Sequence, residues 1–286
     1  MNQESDIAID AAQAVSRPYD KRRLSYAGTF SNPFKVGTIR TLEWLTAKAQ
    51  LLHLIRKFEK RGAPVGAEFW PQALDVMGID VTTPPEQIAH IPKEGPLVVV
   101  ANHPHGLVDG MVLAYLIGQV RDDFLILTRS LLTGIPEVEQ YMLPVPFPHE
   151  PNAREDSLKM RAACMAQLKR GGVVVLFPAG QVAHSETLMG PVIEQEWNPF
   201  TAKMLARSNA SVLPIHFPGQ NSRAYQIANT LSATVRQGLL LYEIKRALNK
   251  PQNPAIGPAK GPEEIAEALQ NPRKFLADLR AETLAL

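Results

Sequence analysis

Cysteine is almost absent from this 286-residue chain, and Cys164 is the single one. An internal disulfide is therefore impossible, and without CxxC or His/Cys spacing nothing suggests a bound metal. Long apolar runs are missing too: none approaches the ~18 consecutive residues that a membrane-spanning helix needs. The opening Met1-Asn2-Gln3-Glu4-Ser5-Asp6 has none of the charged, apolar and small-residue pattern of a signal peptide, which points to a cytoplasmic location. Charge of one sign is scarce, since 30 Lys+Arg against 28 Asp+Glu leave only +2, so nucleic acid is not expected as a partner. What is present is a 45% hydrophobic chain, able to bury a sizeable core as one domain with a helical appendage. Cys164 falls in the amphipathic stretch 158–168, where it reads as core filler rather than a catalytic thiol.

The most telling segment is Val98-Val99-Val100-Ala101-Asn102-His103-Pro104-His105-Gly106-Leu107-Val108-Asp109-Gly110. A β-branched run stops at a turn, and such a turn lies at the rim of a sheet, where open α/β folds bind ligands. A His with a carboxylate partner there is held in one tautomer and becomes a better base. Read alone, the same residues also fit a plain turn, with Asp109 capping a helix from about Met111. Two details favour chemistry. Two histidines and an acid fall within seven residues of a chain with only seven histidines, and the flanks read strand before and helix after. His103 ends the strand and is the preferred base, with Asp109 orienting it. His105, at i,i+4 from Asp109, is held in reserve.

Along the chain, residues 1–32 read as irregular and 33–80 as an amphipathic helical, membrane-associating segment. In 34–61, Phe34, Ile39, Leu42, Leu45, Leu52, Ile55 and Phe58 fall near one stripe. Lys35, Arg40, Lys48, Arg56, Lys57, Lys60 and Arg61 carry the charge. Such a helix either lies in an anionic membrane interface or packs on a core with a solvated basic face. Phe69 and Trp70 add aromatics of the kind that favour the headgroup level. From 81 to 286 strands and helices alternate. Strands are expected at 97–101, 124–128, 142–147 (proline-interrupted, hence an edge), 173–177 and 211–217. Helices are expected after Asp109, near 131–140, around 154–170, from Asn198-Pro199, and over 262–284 with a break at Asn271-Pro272. The fold class is thus α/β, with a mostly parallel, helix-covered central sheet.

Asn102-His103, five residues, then Asp109 resembles the first motif of the glycerolipid and lysophospholipid acyltransferase superfamily, written N-H-x4-D. Phe177-Pro178-Ala179-Gly180-Gln181 is similar to its F-P-E-G-T-R block, Val212-Leu213-Pro214-Ile215 to its late V-x-P-V strand, and Arg129 to Pro146 sits where the second block belongs. The likeness covers roughly residues 90–260. The spacing is one residue longer than the commonest form, as in a hemolysin-like bacterial branch. Ala179 and Val182 or its neighbours replace the Glu and Arg that help hold an acceptor's phosphate, and Leu143-Pro144-Val145-Pro146-Phe147 replaces the usual I-D-R. Glycerol-3-phosphate and lysophosphatidate are accordingly doubtful acceptors, with Arg223 or Arg129 as conceivable substitutes for the missing cation.

The resemblance implies an O-acyltransferase that needs no cofactor. His103 would take a proton from an acceptor hydroxyl as that oxygen attacks a thioester, with Asp109 stabilising the imidazolium. Asn102, His105, Gly106, Phe177, Pro178, Gly180 and Gln181 are the expected substrate-binding residues. The partners would be acyl-CoA or an acyl-carrier protein, a lysolipid acceptor and the inner membrane surface, where the family's N-terminal helix pair anchors. Two other outcomes stay open: a thioesterase, with water in place of the acceptor, and a non-catalytic, hemolysin-like membrane binder.

Overall fold

The structure, a computed structural model, describes residues 24–29, 32–128, 135–146 and 152–286. Its first half runs α1 (Pro33–Glu43), α2 (Ala49–Lys60), α3 (Phe69–Met77), α4 (Pro85–Ile88), β1 (Leu97–Ala101), α5 (Leu107–Gly118), β2 (Phe124–Thr128) and β3 (Met142–Pro144). Then follow α6 (Ala153–Lys169), β4 (Val173–Leu176), β5 (His184–Ser185), β6 (Val192–Ile193), α7 (Phe200–Ser208) and β7 (Ser211–His216). The chain ends with α8 (Arg223–Leu231), α9 (Ala233–Ala247), β8 (Ala255–Ile256), α10 (Pro262–Ile265) and α11 (Pro272–Ala285).

Six strands form one sheet in the order β3-β2-β4-β1-β7-β8. Every neighbouring pair is parallel except β7 with the edge strand β8. β1 sits in the middle, with Val99 paired to Val175 on one side and Leu213 on the other. All five of its residues are buried, because helices cover both faces; that is why the strand reads as a continuous apolar run rather than an alternating one. Leu97, Val99, Val175 and Leu213 face a core completed by α2, α3, α5 and α9. Val98, Val100, Val174 and Val212 face a second core built with α6, α7 and α11, in which Cys164 is buried. Burial pushes that thiol up to about 12, as befits core filler.

The N-terminal helices bury one part of their apolar stripe and leave another part exposed. α1 continues into α2 through a π-helical stretch at Trp44–Lys48. Ile39, Leu51 and Leu52 are buried, and Ile55 and Phe58 pack against the first core. Gly238 lets α9 approach α1 closely, since a Cβ there would come within 2.9 Å of Leu42. Phe34 and Leu45 of the same stripe stay exposed at 83% and 79%, as does Trp44 at 57%. Phe69 and Trp70 are a correction: they do not lie at a surface. α3 rests on the sheet-side core, where Phe69 is 6% and Trp70 0% exposed. Among the described residues no helix is long and apolar enough to cross a membrane.

Other boundaries shift by small amounts. Residues 131–134 of the expected short helix, and most of the 1–32 segment, lie outside the described residues. The described remainder of that helix is a turn followed by one 3-10 turn, Glu139–Tyr141. The expected strand over 142–147 is shorter, β3, and takes the edge position that its prolines require. The stretch holding α8 and α9, to which no element was assigned from sequence, is helical throughout most of its length.

Candidate active site

β1 ends at Ala101, and the next eight residues build the site. Asn102 is buried and points across the sheet: its Nδ2 donates to the Phe217 carbonyl at 2.8 Å, and its Oδ1 accepts from the Phe217 amide at 2.7 Å. It clamps the end of β1 to the end of β7 and, among the described residues, is not part of the cavity wall. Its two side-chain hydrogen bonds are thus spent on the backbone of Phe217.

Asp109 lies in the first turn of α5 and is wholly buried, so the capping role and the partner role coexist. Its Oδ2 is 2.9 Å from His103 Nδ1 and also accepts from the amides of His105 at 2.8 Å and Gly106 at 3.0 Å. Its Oδ1 is 3.0 Å from His105 Nδ1. Burial alone would raise the Asp109 pKa, but the hydrogen bonds and charges of the two imidazoles outweigh it and hold the carboxyl at about 2. An ionised carboxylate only accepts, so both rings carry their proton on Nδ1 and leave Nε2 bare when neutral. Burial lowers the His105 pKa, and Asp109 more than reverses this, so the net shift is upward. The turn that brings both rings to one carboxylate needs Gly106, whose φ of 87° and ψ of −124° belong to glycine.

The two histidines face different ways. His103 lines a cavity of about 630 Å³, whereas His105 is absent from its described lining. A Cβ on Gly219 would lie 3.1 Å from His105 Nε2, so that ring faces the turn after β7. Among the described residues, then, His103 lines the cavity and His105 does not. The His103 amide donates to Glu194 at 3.1 Å, and its carbonyl accepts from the Ala183 amide at 2.8 Å.

Phe177 follows β4, the neighbour of β1, and its ring stacks on His103. With Pro178, Gly180 and Gln181 it lines the cavity, so the second motif reaches the same rim as the first. Leu107, Ile126, Met142, Met160, Leu176 and Leu240 give the cavity apolar walls, and its size is that of sites that bury a drug-sized ligand. Three guanidinium side chains also line it, Arg154, Arg161 and Arg236, and no carboxylate does among the described residues. Arg161 lies over the Phe200 ring, 5.3 Å from its centroid. Arg223 instead donates to the Gly190 carbonyl at 2.9 Å and is not on the cavity wall; Arg129 lies outside the described residues.

Sequence reading missed these cations and Glu194. Arg154, Ser157 and Arg161 recur at i, i+3, i+7 on α6, a spacing that puts them on one face and could have been noticed. Glu194 had no signal, being 91 residues from His103, just after β6. It is buried, and burial raises its pKa although the His103 amide and Trp197 indole pull the other way.

Residues 85–217 match a family model described as Acyltransferase. A lyso-glycine lipid O-acyltransferase of Bacteroides thetaiotaomicron is 28% identical over 171 residues, 59% of this chain and 60% of the relative. A lyso-glycine lipid O-acyltransferase of Phocaeicola vulgatus is 26% identical over 171 residues, 59% of this chain and 58% of the relative. The chain spans about three fifths of the length of the curated relatives it matches. Among solved structures, the 1-acyl-sn-glycerophosphate (LPA) acyltransferase PlsC of Thermotoga maritima is a distant likeness. It has a TM-score of 0.45 and 17% identity, covering 87% of this chain and 89% of that one.

Proposed function

We propose that this chain, whose residues 85–217 match a family model described as Acyltransferase, is a member of the glycerolipid acyltransferase superfamily that moves a fatty acyl group from a thioester to the hydroxyl of an anionic lysolipid. The observation that carries the proposal is His103 on the wall of a cavity with apolar sides and three arginines, held from behind by the buried Asp109 at 2.9 Å.

The chemistry follows from the tautomer. His103 Nε2, bare when the ring is neutral, accepts the proton of the acceptor hydroxyl as that oxygen attacks the thioester carbonyl. Asp109 stabilises the imidazolium so formed. The C–S bond breaks as the tetrahedral intermediate collapses, and the imidazolium returns its proton to the departing thiolate. Base catalysis of this kind contributes roughly 10²–10⁴-fold. Coenzyme A and carrier protein both present the required thioester and are the proposed donors.

Arg154, Arg161 and Arg236, unopposed by any carboxylate on the described wall, suit an acceptor with an anionic headgroup. The curated relatives are named for lyso-glycine lipids, which belong to the same broad class of lysolipid acceptor. Phe34, Trp44 and Leu45, exposed beside the basic residues of α1 and α2, suit peripheral attachment to the inner face of an anionic membrane.

The purified protein, given labelled acyl-CoA or acyl-carrier protein with a lyso-glycine lipid, lysophosphatidate and monoacylglycerol, should acylate an anionic acceptor. Transfer should vanish in His103→Ala. Thioester release without acceptor should be slow. No transfer to any acceptor, or full transfer by His103→Ala, would overturn the proposal.

A further inference from the structure

Asp109 offers two oxygens, and each meets an imidazole. Oδ2 has three N–H donors: His103 Nδ1 and the amides of His105 and Gly106. Among the described residues Oδ1 has one, His105 Nδ1, at 3.0 Å. Because the carboxylate is fully buried, losing that donor would leave Oδ1 unsatisfied and free the group to rotate toward another partner. Among the described residues His105 does not line the cavity; it faces Gly219 and is linked to His103 through Asp109.

We propose that His105 is a positioning residue: it fixes Asp109 Oδ1 so that Oδ2 stays trained on His103, and when protonated it weakens His103 as a base. The kinetic part of this proposal rests on the acyl-transfer reading above; the coupling between the two rings does not. A neutral His105 shares the carboxylate as a hydrogen-bond donor. A cationic His105 sets a full positive charge against the carboxylate whose negative charge supports the His103 imidazolium. The charged groups that face His105 are Asp109 from α5 and Glu243 and Arg246 from α9, with His103 on the far side of the shared carboxylate. Glu243 favours the charged ring and Arg246 opposes it, and the two are themselves paired at 3.1 Å.

Two variants separate the parts. His105→Asn keeps an amide donor near the place of Nδ1 but cannot take a proton. His105→Leu removes the donor. The first measurement is NMR titration of the His103 ring in the full-length, substrate-free protein. In His105→Asn the His103 transition should move to higher pH by about half a unit or more, since Asp109 then serves one imidazole alone. The acid limb of kcat should move the same way, with kcat at its plateau within about threefold of the parent. His105→Leu should lower kcat roughly tenfold or more while KM changes less than about threefold, the mark of a displaced base rather than a lost substrate contact. A His103 titration identical in parent and His105→Asn would overturn the proposal. So would a change confined to KM, or a fall in Tm with the titration unmoved. If the parent itself transfers no acyl group, the acyl-transfer reading fails, and the NMR titration alone decides the coupling.

Discussion

The imidazole of His103 lies flat on the phenyl ring of Phe177, with 3.7 Å between centroids and 17° between planes. Two adjacent parallel strands end in these residues, so the sheet itself sets the stack. The imidazole proposed as the base is thereby held against rotation on one face, while Asp109 fixes its edge.

Phe177→Ala should therefore leave the fold intact but loosen the base, lowering kcat of acyl transfer roughly ten- to hundredfold, the scale expected when a catalytic group is misplaced by about 1 Å. Phe177→Tyr should keep most of the rate. Steady-state kinetics on both variants, beside a thermal melt, checks this.

Asp109→Asn tests the carboxylate. An amide can donate to His103 Nδ1 and so favour the wrong tautomer; kcat should fall by about 10³-fold or more, as when a base loses its orienting acid. Stability should change with it, and the sign is fixed by the pKa. The folded value of about 2 lies below the ordinary 3.8, so the stabilisation is fully present above about pH 4 and is lost as pH falls through 2. It amounts to on the order of 2 kcal/mol. Acid unfolding followed by circular dichroism should show a steep loss over that interval in the parent and a flatter one in Asp109→Asn.

Gly106 takes a φ of 87°, and its amide donates to Asp109 at 3.0 Å. Gly106→Ala places a Cβ in a backbone region that L side chains avoid, at a cost of about 1–3 kcal/mol. A lowered Tm should accompany a lowered kcat, because the same turn carries both histidines. A fully active variant of unchanged Tm would contradict this.

Asn102→Leu removes both bonds to the Phe217 backbone and leaves a buried amide and carbonyl unpaired, at about 1–3 kcal/mol for each group. Urea unfolding should show the loss as a lower midpoint with unchanged m. Activity per folded molecule should fall as well, since His103 is the next residue.

Phe34→Ser with Leu45→Ser removes two side chains exposed at 83% and 79%. The pair should leave Tm unchanged within about 1 °C, surface substitutions being nearly neutral. Sedimentation with anionic vesicles should drop by tenfold or more. Sedimentation equal to that of the parent would exclude this face as the attachment site.

Much of this molecule could be read from the bare sequence, and the reasons differ from part to part. The central strands were legible because burial on both faces demands unbroken β-branched runs, such as Leu97–Ala101. Phe177 and His103 could be brought to one rim because parallel strands end on the same side. Phe69 and Trp70 were misread because an aromatic pair on an amphipathic helix looks alike whether it meets lipid or a protein core; tertiary packing decides. His105 shared a helix spacing with Asp109, yet nothing local revealed that the carboxylate would divide its two oxygens between both rings. Glu194 and Arg236 reach the site from remote segments, and no local pattern encodes such a meeting.

The bond pair between Asn102 and Phe217 spans 115 positions of chain. A ribosome must therefore pass Phe217 before Asn102, the residue next to His103, acquires its anchor. On the proposed function, polypeptides stalled or cleaved upstream of residue 217 should show no acyl transfer, however complete their first histidine motif, and assaying chains released at successive lengths would date the moment at which that activity begins.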